Sequence, residues 1–171
     1  MALREPRAPR PSWPRYTGIP FPPYRFVPGL NARPAGEIAA PRAFTFPERW
    51  SPEEWRSLTA YLYGIDLYNF AYWWECHEVL EGLWHTAGRT TPPARFVQAI
   101  IHLAASNLNR HRSHGAAAER QTAQALGRLE AQAERTYMGI DVDDLTRRVR
   151  ASSTSVPWTP PLIRLDYTNT S

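Results

Sequence analysis

Hydrophobic residues recur at helical spacing through the middle of this 171-residue chain. The spacing predicts four main helices: from Ser51 to about Asn69, from about Tyr72 to near Gly88, from Pro92 to a basic turn at 110–115, and over about 116–136. A short fifth helix is predicted over 141–150, after a break at Tyr137-Met138-Gly139. No region is rich in strand signals. The predicted fold class is therefore all-α, a compact multi-helical bundle.

The first predicted helix has a clear start and an unusual polar residue in its apolar face. Ser51 and Glu54 form a capping-box pattern around a proline at the first helical position. Asp66 falls inside the apolar arc, and Asn69 falls at its edge, where it suits a helix terminus. A buried carboxylate needs a partner. The sequence leaves three candidates for Asp66: His77, an arginine, or the N-terminus of a helix.

The second predicted helix concentrates the chemistry-bearing residues, with three Trp, three Glu and two His in positions 72–85. Its apolar stripe comprises Trp73, Cys76, Leu80, Leu83 and Trp84. His77 lies at the edge of that stripe, one helical turn before Glu81, and Glu75 points roughly the opposite way. Trp74 projects beside Glu78 and Glu81, so it is the candidate for a pocket wall or an interface anchor. Trp55, Trp73 and Trp84 are predicted core residues.

The third predicted helix is apolar over more than half of its circumference, which predicts a central position in the bundle. Its narrow polar side carries Gln98 and His102, whereas Asn107 falls within the apolar arc. The candidate ligand-binding residues drawn from the three helices are Trp74, His77, Glu78, Glu81, Asp66, Gln98 and His102.

The two ends of the chain lack helical periodicity. Residues 1–50 hold eleven of the seventeen prolines, together with interspersed aromatic residues such as Phe26 and Phe44. Proline excludes helix and central strand there, and disordered tails are poor in aromatic residues. We expect a mobile start over about 1–15 and then an extended strap on the helical body; the rival interpretation is a polyproline ligand for a partner. The expected organisation is an arm (1–50), a helical domain (51–150) and a tail (151–171).

Charge and cysteine content narrow the function classes. Residues 1–50 hold eight Arg against three acids, and residues 51–171 hold twelve Arg against thirteen acids. The basic character thus belongs to the arm, and no nucleic-acid-binding motif accompanies it, which disfavours a nucleic-acid target. No apolar stretch is long enough for a membrane span or a signal peptide. A single cysteine, Cys76, makes the reducing cytoplasm the expected location.

Several familiar chemistries do not fit the spacing of the second helix. A zinc-protease motif needs a second His four residues after His77, and Glu81 stands there. The di-iron pattern of Glu-x-x-His on two helices is absent, as are a nucleophile elbow and a glycine-rich phosphate loop. A divalent metal on His77 and Glu81 would need a third ligand from His102, Asp66 or His85. No cofactor is required by the sequence.

The order of motifs resembles the DUF309 family of bacterial and archaeal proteins. The resemblance rests on Gly64-Ile65-Asp66-Leu67-Tyr68-Asn69, on Trp74-Glu75-x-His77-Glu78-x-Leu80-Glu81-x-x-Trp84, on Phe96-x-Gln98-x-Ile100-Ile101-x-Leu103-Ala104-Ala105, and on Tyr137-x-Gly139-Ile140. Ala99 and His102 stand where the family usually has Gly and Gln. The resemblance implies a compact multi-helical bundle. It implies no activity, because the family is named for unknown function.

Three functional hypotheses are consistent with the sequence. In the first, a buried polar network holds the helices in register; its members are His77, Glu78, Glu81, Asp66, Gln98 and Asn107. In the second, the carboxylates and His77 flank a small-ligand, cation or metal pocket walled by Trp74 and Trp84. In the third hypothesis the chain is a protein-interaction module acting through its basic arm or the 110–115 turn. The partner is a small molecule or a protein, and a homo-oligomer is compatible with the sequence. Spacing alone does not decide whether the protein is an enzyme.

Overall fold

The computed structural model describes residues 12–33 and 44–168. The described chain is mostly helical, which confirms the all-α prediction. After a short 3-10 turn, Pro52–Glu54, come α1 (Thr59–Asn69), α2 (Trp73–Thr86), α3 (Pro92–His111), α4 (Gly115–Glu130) and α5 (Val142–Thr154). Between α4 and α5 lies an antiparallel hairpin of two residues per strand, β1 (Thr136–Tyr137) and β2 (Ile140–Asp141), with Thr136 opposite Asp141 and Tyr137 opposite Ile140.

Helix α3 occupies the centre of the bundle, as its wide apolar face predicts. It packs against α2 on one side and α4 on the other, while α1 packs on α2 and α5 packs on α4. Thr91 starts α3 by accepting the Ala94 backbone N–H at 3.3 Å, with Pro92 at the first helical position. No helix in the described ranges is long and apolar enough to cross a membrane.

The first predicted helix is wrong at its start. The capping pattern is real, since Glu54 Oε2 accepts the Ser51 backbone N–H at 3.1 Å, but it opens only the 3-10 turn. The chain then leaves helical geometry at Leu58, which has ψ near 85°, and α1 begins at Thr59. This break lets Trp55 turn inward, where its ring fills the space that a side chain at Gly139 would need. Burial of Trp55 therefore outweighs the continuity of one long helix.

The end of α4 also differs from the prediction. The helix stops at Glu130 instead of about 136, because the chain turns into the hairpin. Met138 and Gly139 both have positive φ, as a tight hairpin turn requires. Asp141 then caps α5 by accepting the Asp144 backbone N–H at 2.9 Å, so the predicted short fifth helix exists and runs on to Thr154.

Both ends of the described chain lie along α1 and the start of α2. From here on, the arm means residues 12–33 and the tail means residues 156–168; both lie within the longer arm (1–50) and tail (151–171) expected from the sequence. In the arm, Phe21 stacks on Tyr72 with ring centroids 4.8 Å apart, and Val27 is buried. In the tail, Ile163 and Leu165 are buried in the same core. The predicted mobile start falls mainly on residues 1–11, which lie outside the described ranges, as do 34–43 and 169–171.

Candidate functional site

Asp66 is the one carboxylate on α1, and both of its oxygens accept hydrogen bonds. Its side chain has no exposed surface, and its two oxygens accept hydrogen bonds from the backbone N–H of Tyr16 at 2.8 Å and of Thr17 at 2.9 Å. The Thr17 hydroxyl donates a third bond at 2.8 Å, and Arg15 Nε lies 3.6 Å away. Of the three partners considered from the sequence, an arginine is present and His77 is not. Main-chain amides of the arm donate two of the three hydrogen bonds.

Asn69 connects α1 to the tail in the same way. Its Nδ2 donates to the Ile163 carbonyl at 2.7 Å, and its Oδ1 accepts from the Ile163 backbone N–H at 2.7 Å. The side-chain amide therefore pairs with both main-chain groups of one residue, as a neighbouring β-strand would. Asn69 does end α1, as its sequence position predicts, but its buried amide also fixes the position of the tail.

Three tyrosines extend this pattern by donating to proline carbonyls. Tyr63 bonds the Pro20 carbonyl at 2.8 Å, and Tyr72 bonds that of Pro22 at 3.2 Å. Tyr68 bonds the Pro161 carbonyl of the tail at 3.0 Å. Proline has a carbonyl acceptor but no N–H. Tyrosine hydroxyls are thus suited to holding the proline-rich parts of both extended segments.

Glu75 receives the arm where α2 begins. Its Oε1 accepts the Phe26 backbone N–H at 2.8 Å. Its Oε2 is buried and has no hydrogen-bond partner within residues 12–33 and 44–168. Burial raises the pKa of Glu75 to about 7, and the Phe26 amide opposes that shift. The arm covers Glu75, which is only 3% exposed.

The remaining candidates lie on α2 and α3. We call them the His77 group; its members are Trp74, His77, Glu78, Glu81, Gln98 and His102. His77 Nε2 lies 3.5 Å from Glu81 Oε1, and these side chains are 33% and 44% exposed. The Trp74 ring packs at a right angle against Phe26, with centroids 5.1 Å apart. Glu78 forms an ion pair with Arg33 of the arm.

The two members on α3 are engaged by α4. His102 Nδ1 lies 2.6 Å from Gln121 Oε1, and Gln98 Oε1 accepts from Arg128 Nε at 2.9 Å. Burial lowers the pKa of His102, and the Gln121 hydrogen bond opposes that shift; the charges of Arg128 and then His77 lower the pKa further. The structure thus brings His77 near His102 and Glu81, and it places Asp66 with the arm instead.

The His77 group offers two unused ring nitrogens but no complete metal site. His77 Nδ1 and His102 Nε2 are buried without a hydrogen-bond partner in the described part of the chain. A zinc site needs at least three protein ligands. Within the described ranges, no three His, Cys, Asp or Glu side chains are grouped so that they could hold a metal ion. Among residues 12–33 and 44–168, no third ligand joins the His77–Glu81 pair.

The indole and thiol groups of α2 mostly follow their predicted roles. Trp73 is buried and lies 6.0 Å from Trp158 of the tail, ring centroid to ring centroid. Trp84 is only half-buried, against the core prediction, because its Nε1 turns outward to the Arg89 carbonyl at 3.3 Å. Burial raises the pKa of the Cys76 thiol well above its ordinary value, which keeps it protonated in the core.

Sequence reasoning missed the tyrosines and underestimated Asn69 and Glu75. The available signal was four tyrosines between positions 61 and 72, facing an arm and a tail that both contain Pro-Pro pairs. A buried tyrosine hydroxyl needs a hydrogen-bond partner, and proline carbonyls supply one. Together these residues form a surface that we call the arm-binding face; it comprises Tyr63, Asp66, Tyr68, Asn69, Tyr72 and Glu75. Within it, Tyr68 and Asn69 bind the tail and the other four bind the arm.

Comparison with protein families gives a match for the helical centre of the chain. Residues 61–121 match the model of a family described as a domain of unknown function, DUF309. The matched range holds α1, α2, α3 and the start of α4, with the first three motif blocks of the resemblance. The Tyr137-x-Gly139-Ile140 block lies beyond it. Comparison with curated proteins and with solved structures finds no match.

Proposed function

We propose that this protein, in which residues 61–121 match the DUF309 family model, is a non-catalytic binding module whose arm-binding face takes extended polypeptide segments. The observation that carries the proposal is what the buried polar groups of this face bind. Asp66, Asn69 and Glu75 accept main-chain N–H groups of residues far away in the sequence. The face therefore recognises the backbone of an extended chain.

Backbone recognition of this kind gives affinity that depends little on sequence. In peptide-binding domains, main-chain hydrogen bonds supply affinity and pockets for single side chains supply specificity. Here Phe21 and Val27 are the side chains that enter such pockets, since Phe21 packs among aromatic rings and Val27 is fully covered. In this chain the arm and the tail fill the face in cis. We propose that a partner segment of similar aromatic and proline-rich character occupies it when the arm lifts.

A peptide-binding experiment tests the proposal. A fluorescent peptide of residues 12–33 is titrated into the parent and into the arm variant Phe21→Ala/Val27→Ala, and anisotropy is recorded. The arm variant should bind the peptide more tightly than the parent, because its own arm competes less well. Adding Asp66→Ala to the arm variant should abolish that binding. The control peptide carries the same two alanine substitutions and should bind neither protein.

Two outcomes would contradict the binding-module proposal. One is equal, weak binding to parent and arm variant while circular dichroism shows both to be folded. The other is binding that survives Asp66→Ala unchanged. If the double variant does not fold, the single variant Phe21→Ala replaces it, because it keeps the buried Val27 side chain.

The second candidate function is a small-ligand or cation site in the His77 group. The observation in its favour is the pair of buried ring nitrogens, His77 Nδ1 and His102 Nε2. A cleft of about 790 Å³ lies beside α5, and one of about 520 Å³ lies between α3 and α4. Of the His77 group, only Gln98 contributes to either cleft. Stoichiometric uptake of Zn²⁺ by the purified protein, lost in His77→Ala, would favour this candidate over the binding module.

A further inference from the structure

A second concave surface lies between the start of α3 and the end of α4. The cleft measures about 520 Å³, within the usual range for small-molecule sites. Arg89, Arg95 and Arg128 line it, together with neutral residues that include Thr90, Gln98 and Gln132. Among the lining residues there is no Asp or Glu. We call this surface the arginine cleft.

Within the part of the chain that the structure describes, Arg89 and Arg128 have neutral hydrogen-bond partners and Arg95 is in no ion pair. Arg128 donates to Gln98 Oε1 at 2.9 Å and to Gln124 Oε1 at 2.8 Å. Arg89 Nη2 lies 3.0 Å from His85 Nδ1, and its guanidinium lies 5.3 Å from the centre of the Trp84 ring. None of the ion pairs formed by the described residues includes Arg89, Arg95 or Arg128. The positive charge of the cleft is thus not neutralised locally.

In the cleft beside α5, by comparison, the charge of the arginines is balanced by aspartates. Four arginines line it, and so do four aspartates, Asp141, Asp143, Asp144 and Asp166. Asp144 pairs with both Arg147 and Arg148 there. In the arginine cleft, by contrast, burial and then the charge of Arg95 lower the pKa of the Arg128 guanidinium. Like charges therefore face each other in one cleft and are balanced in the other.

We infer that the arginine cleft binds a small molecule that carries a phosphate group. The planar guanidinium fork forms paired hydrogen bonds to phosphate oxygens, and a dianion relieves the repulsion among three cations. Arg128 is already oriented by two glutamines, and Thr90, Gln98 and Gln132 offer hydrogen bonds to the rest of a ligand. A concave cleft favours a compact ligand. Residues 51–171 carry twelve Arg against thirteen acids, so the helical body as a whole does not attract a polyanion.

The test uses the full chain, pyrophosphate as the probe, and isothermal titration calorimetry at constant ionic strength. Arg95→Gln should weaken pyrophosphate binding by about tenfold or more, since a hydrogen bond to a charged group contributes that much. Arg95 is exposed and takes part in none of the ion pairs of the described residues, so this variant should fold like the parent. Arg147→Gln is the matched control, because Arg147 pairs with Asp144 in the balanced cleft; it should leave binding unchanged.

Two results would overturn the inference. The first is pyrophosphate binding that is not saturable, or that Arg95→Gln and Arg147→Gln weaken equally; this would indicate a diffuse charge effect. The second is a single-stranded oligonucleotide that displaces pyrophosphate at lower concentration and with a steep salt dependence, which would indicate a nucleic-acid backbone as the ligand. Weakening by Arg128→Lys, which keeps the charge but removes the fork, would support the small-phosphate site.

Discussion

The arm-binding face lies on α1 and the start of α2, and the His77 group lies on α2 and α3. The polar side chains of the two regions are bonded in opposite ways. Asp66 and Asn69 are fully buried, and every polar atom of their side chains has a partner in the arm or the tail. His77 and Glu81 are one third to nearly one half exposed and form a single 3.5 Å ion pair. The buried polar side chains of α1 are therefore satisfied by extended chain, whereas buried Ser106 and Thr122 bond each other between α3 and α4.

The largest effect that separates the two regions is expected for Asp66→Ala. It removes the acceptor of three hydrogen bonds and the partner of Arg15. We expect the free energy of unfolding to fall by about 3 kcal/mol. The loss is not larger because the arm can detach, and its amides then bond to water. Urea denaturation measures the loss. Asp143→Ala is the control, because that side chain is 77% exposed; a similar loss in both variants would contradict the comparison.

Asn69→Ala should come next. The Ile163 N–H and carbonyl both lose their partner at a buried position, and we expect a loss of about 2 kcal/mol in the free energy of unfolding. Asn109→Ala is matched to it, since Asn109 is half-buried and makes one local bond, to the Ala105 carbonyl at 2.8 Å. Equal losses in the two asparagine variants would show that the tail contributes nothing through Asn69.

Glu75→Gln tests the arm-binding face through pH. The pKa of Glu75 is raised from 4.5 to about 7 in the folded protein by burial. A raised folded-state pKa gives a contribution that is present below the unfolded value and lost as pH rises through about 7. From pH 5 to pH 8 the parent should therefore lose up to about 3 kcal/mol relative to Glu75→Gln. A stability difference between parent and variant that does not change over this range would contradict the buried position of Glu75.

The smallest effect is expected in the His77 group. Glu81→Gln removes the charge of a side chain that is 44% exposed and 3.5 Å from His77. Exposed ion pairs contribute about 0–1 kcal/mol, so thermal or urea denaturation at neutral pH should barely distinguish this variant from the parent. A loss as large as that of Asp66→Ala would place Glu81 in a buried network and remove the contrast between the two regions.

Helical periodicity predicted the bundle well because apolar stripes determine which face of a helix is buried. It also identified Asp66 as a carboxylate inside an apolar arc, with an arginine among its candidate partners. The break before α1 was not predictable in this way, because it depends on where the Trp55 ring packs against Gly139.

The contacts of the arm and the tail were beyond sequence reasoning for a different physical reason. Asp66 bonds the backbone amides of Tyr16 and Thr17, 50 and 49 residues away, and every residue except proline offers the same N–H group. No residue pattern therefore marks the bonded positions. The clustering of Trp, His and Glu on α2 can be seen in the sequence. Which of these residues are covered and which are open to solvent depends on the path of the arm.

Amide hydrogen exchange on the full-length protein tests most directly whether side chains of the arm-binding face hold the backbone of the arm and the tail. In the parent, the amides of Tyr16, Thr17, Phe26 and Ile163 should be protected, because each donates to a carboxylate or amide of α1 or α2. In Asp66→Asn, protection should fall at Tyr16 and Thr17 and persist at Ile163. Exchange of all four amides in the parent at the rate of an unfolded peptide would contradict the account.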